Sequence, residues 1–565
     1  MANAVDRELV DQDLAAGPAA VPGAHHFPLW FCGSRYSRRD LHGLINRRMD
    51  NIVESQEEVF ELLANPATHG GHVVKRIDTH AAVLFLTRHR VLKIKRAVRF
   101  PFLDFSTRDK RRAVCEAEIE ANRPFAPEIY RGLVAVTREP DGRLAVGGSG
   151  TPVEWALEMQ RFDESMTLDR LADEGRIDAA LADRLGLVIA QAHERASAVA
   201  PAPWIEAIRD YVDEHEAAFG ERPDLFPVAE VEALAQEGRA AYVRIRPLLI
   251  ERGERGFVRR IHGDLHLGNI VLIDGRPVLF DAIEFSPLIA SGDVLYDIAF
   301  LLMDLVERRL SAMANIVLTR YLFESKRAEN LDGLAALPFY LSMRAAIRAK
   351  VTAARLEQSD AEARPYIARQ ARAYFDWARR LIAPGKPVLV AIGGLSGTGK
   401  SVLARGLAPQ FPPSPGAVVL RSDAERKALF GKDEDEALPP DAYLPDVTAR
   451  VYCVILDKAR RALAAGQSAI LDAVFAKPQE RFGAERSAAV LGIPFRGIFL
   501  EADLATRLTR IGAREADASD ADAAIARAQE NFDLGPLDWI RVDASGTPEE
   551  TVARVRSALG AWWVK

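Results

Sequence analysis

Cysteine is almost missing from this chain: Cys32, Cys115 and Cys453 are the three among 565 residues, far apart and without His or Cys neighbours at metal-ligand spacing. That excludes a disulfide framework and a zinc site, and it fits a reducing compartment. Long apolar runs are missing too. No stretch of eighteen apolar residues occurs, and the first forty residues turn from acidic to Ala/Pro-rich to basic with no apolar segment ahead of a cleavage site. Neither a membrane span nor a secretory leader is expected. An excess of basic charge is likewise absent: a net charge of -6 gives no footprint for nucleic acid. No internal repeat connects the two halves. What is present is ordinary for a water-soluble, cytoplasmic protein, 48% hydrophobic and 27% charged, at a length that calls for two or three domains.

Residues 1–48 mix Pro, Gly, His and Arg without a sustained period and are expected to be a disordered extension, with Met49 as an alternative start. Regular text begins at Glu57. A short helix, Glu58 to Ala64, precedes three strand-like runs, Val73 to Ile77, Ala82 to Leu86 and Val91 to Lys95; a helix from Thr107 to Asn122 and a strand from Val153 to Met159 follow. That order predicts the small lobe of a two-lobed, protein-kinase-like α+β domain. Residues 164–250 read as helical, and helices resume from Leu295 to Leu381. Ala383-Pro384-Gly385-Lys386-Pro387 is the expected linker, closing a first domain over 49–382. Over 388–565, strand-like runs at 417–420, 469–471, 495–500 and 539–542 alternate with helical stretches, the text of a parallel α/β sheet.

Two phosphoryl-transfer patterns sit on this frame. Gly394-Leu395-Ser396-Gly397-Thr398-Gly399-Lys400-Ser401 fits the phosphate-binding loop at every fixed position and follows the apolar run Val388 to Ile392. Its glycines turn backbone N–H groups onto phosphate oxygens; Lys400 reaches the β- and γ-phosphates, and Ser401 takes a place on Mg²⁺. Asp472, closing a hydrophobic strand, is the expected second metal ligand, and Asp423, at the end of Val418 to Arg421, the acceptor-side carboxylate. Arg507, Arg510 and Arg514 recur along one helix face before segment 515–524, as a lid carrying guanidinium groups to the transferring phosphate. Upstream, His262-Gly263-Asp264-Leu265-His266-Leu267-Gly268-Asn269 has the Asp-x-x-x-x-Asn spacing of a kinase catalytic loop, with Phe280-Asp281 on the next apolar run. Asp264 is placed as the base at the acceptor hydroxyl, Asn269 and Asp281 as Mg²⁺ ligands. Lys93 and Lys95 alternate onto one strand face, so either can meet ATP, with Glu118 as ion-pair partner. His266 and Glu284 read as structural hydrogen-bonding residues.

The first of these stretches resembles the aminoglycoside-phosphotransferase-like kinases, whose loop reads H-G-D-x-H-x-x-N, over about residues 50–382. Thr79-His80, Leu92 to Lys95, Phe102 to Thr107 and Arg344 to Lys350 look like a bacterial subgroup often fused to a P-loop kinase-like domain. The resemblance implies Asp264 as catalytic base and Asn269 with Asp281 as magnesium ligands. One departure is plain: no glycine lies between Ala82 and Lys95, only Thr87-Arg88-His89-Arg90 at the turn. The second segment resembles the gluconate-kinase-like, polynucleotide-kinase-like and zeta-toxin-like P-loop kinases, whose acceptors differ widely, so fold does not choose among them.

Aminoglycosides are polycations, and a site for them should offer carboxylates. Here Arg344, Arg348 and Arg355 fall at helix offsets of zero, four and eleven, on one face. Either they form a solvated stripe paired with acidic neighbours, or they form an anion-recognising wall of the acceptor cleft. The expectation is a bifunctional phosphotransferase using ATP and Mg²⁺ on small hydroxylated metabolites, with no nucleic-acid or membrane partner. The alternative is a nucleotide-controlled regulator in which the P-loop half switches the first domain or a protein partner. A protein kinase is a third reading, disfavoured because a Gly-rich loop and an Ala-Pro-Glu anchor are missing.

Overall fold

Period-two alternation in two neighbouring runs sends Val83, Phe85, Leu92 and Ile94 to one face, where all are fully buried, and leaves Lys93 and Lys95 on the other. The computed structural model describes residues 53–560 except 80, 101–102, 434–435, 514–518 and 521. The expected extension 1–48, Met49 and Arg514 therefore lie outside the described residues.

In the small lobe, α1 (Glu57–Ala64) lays Val59, Phe60 and Leu63 on the apolar face of the sheet. Strands β1 (Lys75–Asp78), β2 (Ala82–Leu86) and β3 (Arg90–Lys95) are followed by the two-residue pair β4 (Arg99–Phe100) and β5 (Leu103–Asp104), then by helix α2 (Arg108–Asn122). Strands β6 (Tyr130–Arg138), β7 (Leu144–Val146) and β8 (Thr151–Gln160) complete an antiparallel sheet in the order β1-β2-β3-β8-β6-β7. Strand β6 is an addition to what sequence reading expected. Its register slips between Tyr130 and Gly132, and a bulge of this kind breaks the alternation that marks a strand.

The large lobe is helical. Helices α3 (Leu168–Asp173), α4 (Ala179–Arg195), α5 (Pro201–Gly220) and α6 (Val228–Glu254) precede β9 (Val258–Arg260), which pairs with β12 (Ser291–Asp293); between them β10 (Ile270–Ile273) and β11 (Arg276–Leu279) form a hairpin. Helix α7 (Val294–Glu307) is buried continuously from Val294 to Val306. Around it lie α8 (Ser311–Glu324), α9 (Glu329–Gly333), α10 (Leu337–Ala354) and α11 (Arg364–Ile382). Arg252 is nearly fully buried and grips Asp293 with two hydrogen bonds, 2.6 Å from Nε and 2.7 Å from Nη2, fixing where α7 starts.

After an irregular stretch, β13 (Leu389–Gly394) enters a five-stranded parallel sheet of order β14-β15-β13-β16-β17. Its elements are α12 (Lys400–Leu407), β14 (Val418–Arg421), α13 (Ser422–Leu429), α14 (Pro445–Ala464), β15 (Ala469–Asp472), α15 (Pro478–Ala489), β16 (Phe495–Glu501), α16 (Leu504–Gly512), α17 (Ala523–Ala528), β17 (Ile540–Asp543) and α18 (Pro548–Leu559). Val390, Ile392, Ile470 and Ile498 meet Leu403 and Leu407 of α12 in its core. Because the strands are parallel, Gly394, Asp423 and Asp472 gather at one edge, the carboxyl ends, where ligands of such sheets bind. Among the described residues no helix is long and apolar enough to cross a membrane.

The two halves touch. On α8, Asn315 is buried and donates Nδ2 to the carbonyl of Ala417, 2.9 Å away, at the entrance to β14. At the edge, Arg461 of α14 bonds Asp332 of α9 at 2.8 Å, both half-exposed. Asn315→Ala is expected to destabilise the chain by about 1–3 kcal/mol, because a buried carbonyl loses its donor. Arg461→Ala, at an exposed ion pair, should cost no more than about 1 kcal/mol. Equal losses for the two variants in denaturant unfolding would contradict this reading of the contact.

Candidate active sites

In the first site, Glu118 on α2 has no exposed surface and serves two lysines at once. Lys93 Nζ lies 2.7 Å from its Oε1, and Lys95 Nζ 2.6 Å from its Oε2. Each lysine reaches a second acid: Lys93 comes within 3.6 Å of Asp281, and Lys95 bonds Glu284 at 2.8 Å. The alternation of β3 left open which lysine pairs with Glu118, and the structure uses both. Burial would raise the Glu118 carboxyl, but the two ammonium charges outweigh it and hold the group below its ordinary value. Burial pulls Lys93 down, and Glu118, Asp281 and Glu284 more than reverse this. For Glu284, burial prevails over Lys95 and the carboxyl is raised. Nearby, burial pushes the Cys115 thiol up to about 12, so this cysteine is no nucleophile.

Asp281 has φ of 61°, a strained setting for a residue with a Cβ. Its neighbours hold it there: Asp281 N donates to Tyr130 Oη at 3.1 Å, and Ala282 N to Asn122 Oδ1 at 2.7 Å. Phe280 N bonds the carbonyl of Asn269 at 2.9 Å, which ties this turn to the catalytic loop. There Asn269 Nδ2 donates to Asp264 twice, to the backbone oxygen at 3.0 Å and to Oδ2 at 3.1 Å. His266 Nδ1 accepts from Gly268 N at 3.0 Å, which leaves Nε2 as the protonated ring nitrogen, facing Asp264 Oδ1 at 3.5 Å. Asn269 thus bonds Asp264 directly and reaches Asp281 through the Phe280 backbone, and Lys93 lies at ion-pair distance from Asp281.

What holds the catalytic loop went unread in the sequence. Asp297 on α7 is fully buried and accepts from His262 N and Gly263 N, both at 2.9 Å, and meets His193 Nε2 at 3.1 Å. Two turns on, Asp304 accepts from Leu267 N at 3.0 Å. The available signal was two acids seven residues apart in the otherwise apolar stretch from Val294 to Val306.

Arg344 belongs to this support as well. It is 1% exposed, donates to the carbonyls of Gly263 at 3.1 Å and Tyr296 at 3.2 Å, and stacks on the Tyr296 ring at 3.8 Å. The stripe expected to act as one wall is therefore divided. Arg344 lies beneath the loop 262–269, because this end of the helix face meets that loop. Arg348, one turn on, touches Tyr374 Oη at 3.4 Å, and Arg355 follows just after α10 ends.

In the second site, positive φ angles at Gly394, Gly397 and Gly399 shape the loop ahead of α12. A Cβ at Gly397 would stand 2.7 Å from the Arg507 carbonyl. Lys400 Nζ donates to the Leu395 carbonyl at 3.3 Å, and Ser401 Oγ donates to Asp472 Oδ2 at 2.5 Å. Burial raises the Asp472 carboxyl, opposed by Arg421 and Lys400. A cavity of about 1160 Å³ opens here, lined by the whole loop from Ser396 to Ser401 with Asp423, Asp472 and Arg510.

The arginines of α16 also divide. Arg507 is buried and donates Nε to the Ser396 carbonyl at 3.0 Å and Nη2 to the Ala526 carbonyl at 2.8 Å, so it braces the loop from behind. Gln529 adds an acceptor 2.7 Å from Ser396 N. Arg510 reaches the cavity while bonding the Gly546 carbonyl at 2.6 Å.

A two-lobed kinase fold joined to a parallel-sheet P-loop domain, each with lysine and carboxylates gathered at its mouth, defines a nucleotide-binding phosphotransferase, an ATP-dependent kinase. The model of the Phosphotransferase enzyme family matches residues 89–337, and that of the AAA domain matches residues 389–534. The chain belongs to a family that fuses these two domains. It is 30% identical over 512 residues to the uncharacterized protein Rv2004c of Mycobacterium tuberculosis and equally to the uncharacterized protein Mb2027c of Mycobacterium bovis, covering 88% of this chain and 98% of each relative. Among solved structures, it is similar to a choline/ethanolamine kinase family protein from Mesorhizobium loti (15% identity, 58% of this chain and 98% of that one, TM-score 0.33). It is also similar to a gluconokinase from Sinorhizobium meliloti 1021 (20% identity, 31% and 91%, TM-score 0.23). At such scores the likenesses carry no argument about substrate.

Glu118→Gln leaves two buried lysines without their shared counter-charge, and a loss on the order of 3–5 kcal/mol is expected. A carboxyl held below its ordinary 4.5 contributes stability at higher pH that fades as pH falls from there toward the folded value. Acid unfolding curves should show this component in the wild-type chain and lack it in the variant. Identical curves would count against the double lysine grip.

Proposed function

We propose that the chain is a bifunctional ATP-dependent phosphotransferase with two Mg·ATP sites, transferring phosphate to hydroxyl groups of small metabolites. The observation that carries this reading is that each half owns a full set of parts. Asp264 has Lys93, Asn269 and Asp281; Asp423 has Lys400, Ser401 and Asp472. Among the described residues no three His, Cys, Asp or Glu side chains converge as a metal cage. Each site instead offers one or two oxygen donors, the number Mg²⁺ takes from protein when nucleotide phosphates supply the rest. Ser401 Oγ and Asp472 Oδ2, 2.5 Å apart, fit that description in the second site, as do Asn269, whose amide nitrogen is committed to Asp264, and Asp281 in the first. Held by these residues, the cation would neutralise charge developing on the nucleotide phosphates.

In either site the acceptor oxygen forms a bond to the γ-phosphorus while the bond from that phosphorus to the β,γ-bridging oxygen breaks. ADP leaves with the electron pair. In the first site, Asp264 orients the acceptor hydroxyl and takes its proton, while His266 beside it and Asn269 keep the carboxylate aimed. Lys93, fixed by Glu118, holds the nucleotide phosphates. In the second, Asp423 has the corresponding role, with Lys400 and Arg510 on the phosphates. The ATP supply of the cytoplasm and the free thiols Cys115 and Cys453 support a cytoplasmic setting.

One contact favours a second reading. Asn315 bonds Ala417 at the entrance to β14, the strand that leads to Asp423 at the start of α13, so the P-loop half has a physical route to regulate the first domain. Two variants separate the readings. Asp264→Asn should lower transfer by the first site by on the order of 10²–10⁴ with ATP binding kept. Lys400→Ala should abolish turnover in the second site alone, measured as acceptor-dependent ADP release from the full chain. Silencing of the first site by Lys400→Ala would favour the regulator.

A further inference from the structure

Elsewhere in the large lobe, buried arginines meet carboxylates. Arg252 is 2.6 Å from Asp293, and Arg308 lies 3.3 Å from Asp304 and 2.5 Å from Asp173. Arg348 and Arg355 do not. Arg348 is mostly withdrawn from water, and its guanidinium makes one hydrogen bond, to the neutral Tyr374 hydroxyl at 3.4 Å, with its charge 5.3 Å from the centre of that ring. Arg355 is half-buried, and among the described residues its side chain has no hydrogen bond or ion pair.

Their position is set by the helix. Arg344, one turn before Arg348, is bonded to the carbonyl of Gly263, the residue next to Asp264. Arg348 therefore leaves α10 one turn further along the same face, and Arg355 two turns beyond that. Electrostatics agree with this placement: Arg348 feels the Asp304 and Asp264 carboxylates, and the charge of Arg348 adds to burial in pulling Arg355 down. Arg348 thus lies within reach of the candidate base's charge and Arg355 within reach of Arg348, neither with an acid at ion-pair distance.

A guanidinium withdrawn from water with no acid at ion-pair distance keeps hydrogen-bonding capacity that an incoming anion takes up. From this we infer that the acceptor of the first site carries a carboxylate or phosphate group, held by Arg348 and Arg355 while its hydroxyl faces Asp264. The inference rests on the phosphotransferase reading of that site. Carboxylate and phosphate both match the planar fork of arginine, which binds two oxygens at once. A polyamine brings like charge to like charge and is rejected.

The test is calorimetric, on the full chain saturated with Mg²⁺ and the non-hydrolysable analogue adenylyl imidodiphosphate, so that every nucleotide phosphate position is filled. Malonate serves as the carboxylate probe and inorganic phosphate as the phosphate probe. At least one should bind the wild-type chain about tenfold more tightly than the Arg348→Ala/Arg355→Ala variant. Arg355→Ala alone, at the less buried residue, should give an intermediate loss, and Arg348→Lys should keep part of the affinity. Which probe responds identifies the anion. Equal affinity of wild type and double variant for both probes, or no binding of either to the wild type, overturns the proposal. Failure of the phosphotransfer reading looks different: anion binding stays dependent on the two arginines, while no acceptor elicits ADP release that Asp264→Asn removes.

Discussion

A single buried carboxylate organises the first half of this protein. Asp297 sits in dry protein, where an ionised group persists only if every oxygen is bonded. It meets that demand by accepting the backbone N–H groups of His262 and Gly263 and facing His193, and in doing so dictates the path of the catalytic loop. The Arg344 guanidinium, 4.0 Å away, adds opposite charge and closes the loop from the other side through the Gly263 carbonyl. The position of Asp264 therefore rests on groups buried behind it. Such an arrangement places the stiffness of a site in its supports, where packing locks rotamers, rather than in the acid itself.

The second half solves the same problem with backbone. Its loop takes shape from three glycines at positive φ and from one buried arginine that seizes the Ser396 carbonyl. Here the rigid part is a ring of carbonyl acceptors and N–H donors, and Arg507 works as a brace although its helical spacing suggests a partner of Arg510. Carbonyls are its natural partners: five N–H donors in one plane can satisfy several loop oxygens together.

Features encoded within a few residues were legible in the sequence. The P-loop glycines, the offset from Asp264 to Asn269, and the alternation that puts Lys93 beside Lys95 are each local, and the chain needs no tertiary partner to announce them. Strands β14 to β17 were legible for the same reason, as apolar runs bounded by turns. The supports were not. Asp297 lies 35 residues from His262 and 104 from His193, and Arg344 lies 81 from Gly263, separations at which periodicity carries no information about who meets whom. The stripe Arg344, Arg348 and Arg355 shows the limit clearly. Helical spacing puts the three on one face, yet only Arg344 meets the loop, while Arg348 and Arg355 are partly exposed and make no bond to it. Strand β6 escaped through its bulge, which shifts alternation by one residue.

The docking of Asn315 on the Ala417 carbonyl has a consequence for how the molecule is made. Helix α8 emerges from the ribosome about a hundred residues before β14, so the kinase lobes are synthesised in full before the first strand of the P-loop sheet appears. Chains gain structure domain by domain as they emerge. The last third of the polypeptide therefore meets a surface already in place, and β14, an edge strand with one side unpaired by the sheet, is born beside a folded neighbour. The first domain thus presents a docking point, the Asn315 amide, before that strand is made.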